Sequence, residues 1–171
     1  YAITNGFNPA AQIAVDVNSD GRADMVSANL SGSVTVRLGQ ADGKFGPEQT
    51  FSLPDSANGA LFAVVAGDFD GDGHIDLAAG YLDCRISFFR GDGTGRFTFV
   101  KTHLFIYEPR SMAVGDFDQD GDLDIAGGSL AGKFAIVENL GNLLTAPYLI
   151  IREHAGSGDF GSNLQVVDQN G

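Results

Sequence analysis

The sequence predicts an all-β fold built from four-stranded antiparallel blades of a β-propeller, about three complete and one partial at each end. Three observations carry that expectation. An acidic nine-residue pattern returns with a period near fifty residues, each period holds four strand-like segments, and no window of eleven to eighteen residues keeps a helical period.

The repeat reads IAVDVNSDGRADMVSA from Ile13, VAGDFDGDGHIDLAAG from Val65 and AVGDFDQDGDLDIAGG from Ala113, with a fourth start, QVVDQNG, at Gln165. Its first aspartates, Asp16, Asp68, Asp116 and Asp168, are 52, 48 and 52 residues apart. The units run approximately over residues 10–57, 58–108 and 109–155, with partial units at 1–9 and 156–171, all within one partial propeller domain spanning 1–171.

Within each unit the segments follow a fixed order. An apolar stretch leads into the acidic loop, and another follows it at Met25-Val26, Leu77-Ala78 and Ile125-Ala126. After a Gly, Ser or Asn turn comes an alternating segment such as SVTVRL from Ser33 or RISFFR from Arg85. A Gly-rich turn (QADGKF, GDGTGRF) then leads to QTFSL or FTFVKTHLF, and the third unit keeps this order more loosely as NLGNLLTAPYLII. Period-two alternation with glycine at almost every tenth residue is the signature of short strands and tight turns. Tyr1, Ala2 and Ile3 align with Phe51, Ser52 and Leu53 and are expected to supply the last strand of a preceding blade.

Propellers usually need at least four blades to close. The chain is therefore expected to be a piece of a longer protein, or to have its ring completed by another chain.

Composition narrows the partners. The 171 residues carry a formal charge of −12 and are 43% hydrophobic, enough for a core. Nothing resembles a basic patch, so no nucleic-acid partner is expected and the charge disfavours an anionic membrane surface. No run reaches the 18 or so apolar residues of a membrane span, so no membrane insertion is expected. The opening YAITNGFNPA lacks the charged and apolar regions of a signal peptide. The single cysteine, Cys84, rules out an internal disulfide framework and a Cys-rich metal site.

The acidic loops carry the chemistry. Two carboxylates about 4 Å apart at an effective dielectric near 20 repel by roughly 4 kcal/mol, so such a cluster calls for a cation. Calcium takes six to eight oxygens, and alternate residues of a tight loop can converge on it. Counting from the first Asp, positions 1, 3 and 5 would point inward: Asp16, Asn18 and Asp20; Asp68, Asp70 and Asp72; Asp116, Asp118 and Asp120. Position 6 is Gly21, Gly73 or Gly121, where the backbone must turn sharply. Position 7 (Arg22, His74, Asp122) would offer its backbone carbonyl, and position 9 (Asp24, Asp76, Asp124) a final carboxylate. Positions 2 (Val17, Phe69, Phe117) and 8 (Ala23, Ile75, Leu123) are apolar and expected to anchor the loop to the core.

An EF-hand shares the opening but ends in Glu at position 12 between helices. Here position 12 is Ser27, Ala79 or Gly127 between strand-like flanks, which rejects it. Magnesium fits poorly because it keeps its waters. About three calcium ions are expected, held by eleven of the 22 acidic residues. The incomplete loop at Asp168 and Asn170 is left open.

These residues resemble the FG-GAP or VCBS repeats found in integrin α-subunit propellers and in many secreted microbial proteins. Phe45-Gly46-Pro47 matches the Phe-Gly element of that repeat. The resemblance implies a seven-bladed propeller, a calcium loop between the first two strands of each blade, and the ligands named above. Asn18 departs from the pattern and removes one charge from the first loop.

Three function classes stay open, because a fold hosts sites rather than dictating them. One is an extracellular, cell-surface or periplasmic recognition and adhesion module binding a glycan or protein on a propeller face, with calcium structural. The others are the propeller of a secreted polysaccharide-acting enzyme such as a lyase, and a spacer in a large surface protein. No nucleophile sits near a base, so no catalytic residue is assigned. Tyr81, Tyr107 and Arg110 fall in turns that could face a ligand. Asn29-Leu30-Ser31 fits a glycosylation sequon.

Overall fold

The computed structural model describes residues 8–53, 59–105, 108–129, 133–144 and, as backbone alone, 150–155. Among the described residues there is no helix, and twelve strands form three four-stranded antiparallel sheets. The first sheet holds β1 (Pro9–Val15), β2 (Asp24–Asn29), β3 (Ser33–Arg37) and β4 (Gln49–Ser52). The second holds β5 (Leu61–Gly67), β6 (Asp76–Tyr81), β7 (Arg85–Gly91) and β8 (Phe97–Leu104). The third holds β9 (Ser111–Gly115), β10 (Asp124–Gly128), β11 (Lys133–Glu138) and β12 (Ile150–Ala155).

Strand order in space equals order in the chain, the meander of a propeller blade. β1 lies beside β5 and β5 beside β9, so the first strand of each blade neighbours the first strand of the next. Residues 1–7 and 156–171, including Tyr1, Ala2, Ile3, Asp168 and Asn170, lie outside the described residues.

Alternation along the strands gives each blade two faces, and the repeat fixes which residues meet. Val26, Ala28, Val34 and Val36 of the first blade join Val64, Leu77, Ala79, Tyr81 and Phe89 of the second in one buried cluster. The other face of the second blade, with Ala63, Val65, Ala78, Ile86 and Phe88, meets Met112, Ile125, Ala135 and Val137 of the third. Burying each large aliphatic or aromatic side chain contributes about 1.5–3 kcal/mol, so these two interfaces are the principal cores. Edge-on contacts of Phe51 with Phe97 and of Phe89 with Phe99 extend the first of them toward the outer strands.

The first blade differs on its remaining face. Gln12, Met25, Ser27, Asn29, Thr35 and Arg37 stand where the second blade presents Val64, Leu77, Ala79, Tyr81, Ser87 and Phe89. This face bonds to itself: Gln12 Nε2 donates to Ser27 Oγ at 3.2 Å, and Arg37 Nη2 pairs with Glu48 at 3.0 Å. With Lys44 and Phe45 it forms a pocket of about 460 Å³.

Two expectations, at Tyr81 and Asn29, are corrected here. Tyr81 faces no ligand; it ends β6 fully buried, with its hydroxyl accepting from Ser87 Oγ and the Arg85 guanidinium over its ring. Arg110 lies over the Phe62 ring and pairs with Glu108, while Tyr107 lies outside the described residues. Asn29 is 1% exposed and donates to the Ser33 carbonyl at 3.0 Å, so its amide is not presented for glycosylation.

Candidate metal centres

Each acidic loop is closed by the hairpin that carries it. The residue before position 1 pairs with position 9 at the same register in every blade: Val15 with Asp24, Gly67 with Asp76, and Gly115 with Asp124. Eight residues must then reverse direction, and they do so through two left-handed positions. Position 6 is Gly21, Gly73 or Gly121, with φ of 81°, 85° and 99°. Position 4 is left-handed as well: Gly71 there is unstrained, whereas Ser19 and Gln119 adopt φ of 56° and 65°. Only Gly71 signalled this second bend in the sequence.

The bends turn the loop's own N–H groups toward its carboxylates. Asp16 Oδ1 accepts from Asp20 N at 3.1 Å and Oδ2 from Gly21 N at 2.7 Å. Asp68 accepts in the same way from Asp72 N and Gly73 N, and Asp116 from Asp120 N and Gly121 N. Position 3 accepts from the N–H of position 5 through Asn18, Asp70 or Asp118. Position 5 accepts from position 7 through Asp20, Asp72 or Asp120. The side chains of positions 1, 3 and 5 thus curl to the inside of the loop.

Position 9 does more than its spacing indicates. Asp24, Asp76 and Asp124 are fully buried, and each ties two separate segments together. Oδ2 accepts from the N–H of position 2: Val17 at 2.9 Å, Phe69 at 3.1 Å or Phe117 at 2.9 Å. Oδ1 accepts from the first residues beyond or at the end of the third strand: Gly39 at 2.7 Å, Gly91 at 2.9 Å or Asn139 at 2.8 Å. A Cβ on Gly39 or Gly91 would lie 2.4 Å or 2.1 Å from the carbonyl oxygen of Ala23 or Ile75, so glycine is what lets the two segments approach. The third blade uses Asn139 instead, whose amide donates to Leu123 O and across the interface to Phe69 O at 3.2 Å.

The apolar anchors follow the expectation in part. Val17 and Phe69 are buried, and Ile75 and Leu123 pack against the two cores. Phe117 is 37% exposed because position 2 points toward the following blade, and no described element lies on that side of the third. Ala23 is exposed because position 8 points toward the preceding blade, and no described element lies on that side of the first.

Three carboxylates fall within one ion's reach in two loops. Oxygens of Asp68, Asp70 and Asp76, and of Asp116, Asp118 and Asp120, lie within 4.8 Å of one another. The electrostatics agree with this crowding. Desolvation, reinforced by the Asp70 and Asp72 charges, pushes the Asp76 carboxyl up to about 6 despite two backbone N–H bonds. Desolvation also raises Asp124, with Asp118 and Asp120 adding to it, and raises Asp118, with Asp120 and Glu138 adding. Such all-carboxylate, all-oxygen sets suit a hard divalent cation such as calcium. Arg22, His74 and Asp122 stand at position 7 with exposed or half-exposed side chains.

The first loop brings its groups together differently. For Asp16, desolvation is outweighed by the N–H groups of Gly21, Asp20, Asn18 and Ser19, which hold its carboxyl below the usual range. Asp20 receives the Arg22 guanidinium and, at 2.9 Å, the Asn18 amide on the same oxygen. In the second loop Arg90 reaches Asp70 Oδ2 at 2.5 Å, yet the three-carboxylate convergence persists beside it.

Repeated four-stranded blades whose first hairpin closes an acidic, oxygen-lined loop define an acidic-loop class of β-propeller repeat. A model of the FG-GAP-like repeat matches residues 16–79 and 68–127, and the chain belongs to that family. No curated protein sequence matches it. Among solved structures, the Pseudomonas aeruginosa periplasmic gluconolactonase PpgL superposes with a TM-score of 0.63 at 20% identity, covering 88% of this chain and 40% of that one. BBS1N, solved in complex with ARL6DN after a lead soak, gives a TM-score of 0.45 at 15% identity over 85% of this chain and 57% of that one. The chain therefore spans between two fifths and three fifths of the length of these neighbours.

Proposed function

We propose that this chain is a calcium-stabilised segment of an extracellular or periplasmic propeller that recognises a glycan or a protein through a propeller face, with calcium structural. The observation that carries the calcium half is the convergence of three carboxylates in each of two loops of identical register. An ion there would tie position 9 to positions 1, 3 and 5, joining a buried strand end to an exposed loop. When bound, the ion supplies positive charge to carboxylates that desolvation leaves unstable as anions; it is given no part in chemistry on a ligand.

The protein's own groups do the positioning. Asp76 and Asp124 hold the loop against the turn after the third strand, and the left-handed positions 4 and 6 keep the inward carboxylates aligned. Family membership supports an extracellular or periplasmic setting, where calcium is plentiful enough for weak sites to fill.

For the recognition half, the full chain is applied to a glycan array in calcium and again in chelator. Binding in calcium that disappears in chelator is the expected result. Turnover of an acidic polysaccharide by the same preparation would move the assignment to the secreted-enzyme class.

A further inference from the structure

We propose that the first acidic loop carries no ion, because the Arg22 guanidinium braces it in the way a divalent cation would brace the second and third loops. The inference rests on the calcium reading of those two loops and adds that the three repeats are not equivalent.

The geometry is specific. Arg22 stands at position 7, where the second and third loops have His74 and Asp122. Its Nη2 pairs with Asp20 Oδ2, and its Nε donates to the Gly39 carbonyl oxygen at 3.0 Å. One planar guanidinium thus bridges the loop and the turn after β3, the same two segments that Asp24 joins through Val17 N and Gly39 N. Arginine suits this task because its donors form a rigid fork and its charge is permanent.

Asp20 is then fully engaged. Oδ1 accepts from Arg22 N at 3.0 Å, and Oδ2 accepts from both Asn18 Nδ2 and Arg22 Nη2. At position 3, the Asn18 amide turns a donor toward the carboxylate that an ion would need. Asp16, Asp20 and Asp24 do not form a convergent three-carboxylate group of the kind found in the other two loops.

His74 and Asp122 make no such bridge. The His74 ring lies over Gly93, 2.6 Å from where a Cβ on that residue would stand, and the Asp122 side chain approaches Gly141. Arg90 engages the second loop from β7 at Asp70, one of its three converging carboxylates, and among the described residues Asp72 Oδ1 accepts the His74 N–H. The second loop keeps its three-carboxylate convergence beside its guanidinium, whereas in the first loop the guanidinium and the Asn18 amide both sit on Asp20 and no such convergence forms.

Calorimetric titration of the chelator-stripped full chain with calcium chloride at neutral pH tests the proposal. Two equivalents are expected, falling to one in Asp72→Ala and in Asp120→Ala and staying at two in Asp20→Ala. Three equivalents, with loss of one in Asp20→Ala, would overturn it. No binding at all would instead overturn the calcium reading of the second and third loops, a separate and recognisable failure. The double variant Asn18→Asp, Arg22→Gln gives the first loop the residue pattern of the others and is expected to gain a third equivalent. A count that stays at two in a variant melting as cooperatively as the parent would also overturn the proposal.

Discussion

The first acidic loop and the second share a backbone and differ in how they meet their negative charge. Both close on a position-9 aspartate that accepts two backbone N–H bonds, and both turn through left-handed positions 4 and 6. In the first, Arg22 and Asn18 engage Asp20. In the second, Asp68, Asp70 and Asp76 converge, and Asp76 is pushed up to about 6 by desolvation and its neighbours. The comparison separates two jobs that the nine-residue pattern merges: stapling the blade, which needs only Asp and N–H groups, and holding an ion, which needs several carboxylates brought within one ion's reach.

The largest effects should fall on what the loops share. Asp24→Ala or Asp76→Ala strands two buried backbone N–H groups, each costing about 1–3 kcal/mol. Urea unfolding in chelator should show both variants destabilised, Asp76→Ala the less at neutral pH because it also removes a carboxylate that desolvation disfavours. In calcium, Asp76→Ala should lose further ground because the ion's contribution goes with it, while Asp24→Ala should not. Equal responses of the two variants to calcium would erase the distinction between the loops.

A second test uses pH. Folded Asp76 keeps its proton up to about pH 6, whereas the unfolded chain releases it near the ordinary 3.8. The folded state therefore binds more protons in that window, and chelator-treated protein should lose stability as pH rises through it, by up to about 3 kcal/mol. Asp76→Asn should flatten this contribution in melts taken between pH 4 and 7. Calcium should reverse the trend in the parent, since it stabilises the carboxylate and competes with the proton. A parent and variant with parallel pH profiles would contradict the buried, under-compensated carboxylate.

Much of this was legible in the sequence. The period, the four strands per unit and the acidic loops could be read because period-two alternation and Asp-Gly spacing are local signals. Position 9 is the informative miss. Spacing marks Asp24, Asp76 and Asp124 as ligands, but their bonds to Gly39, Gly91 and Asn139 span fifteen residues and depend on the third strand lying alongside. A glycine at the end of β3 and β7, where a Cβ would strike a carbonyl, was the available hint. Tyr81 misled because it sits beside a turn, and only the sheet register places it in the interface between blades. Nor could the Arg22 bridge be read, since position 7 shows spacing and not where a long side chain reaches.

The smallest expected effect belongs to Arg22. It is partly exposed, and surface ion pairs contribute about 0–1 kcal/mol. Arg22→Gln should lower the chelator melting temperature only slightly, and its more telling signature is the calcium count of the double variant with Asn18→Asp.

Thermal unfolding of the full chain, followed by circular dichroism in saturating calcium and then in excess chelator, tests the structural role of the ion most directly. Two filled sites at 100 times their dissociation constants would add about 5 kcal/mol to the folded state. At about 2–4 °C per kcal/mol for a chain of this size, the melting temperature should fall by on the order of 10–20 °C in chelator and recover when calcium is returned. Superimposable melting curves in the two conditions would contradict calcium as the fastener of these blades.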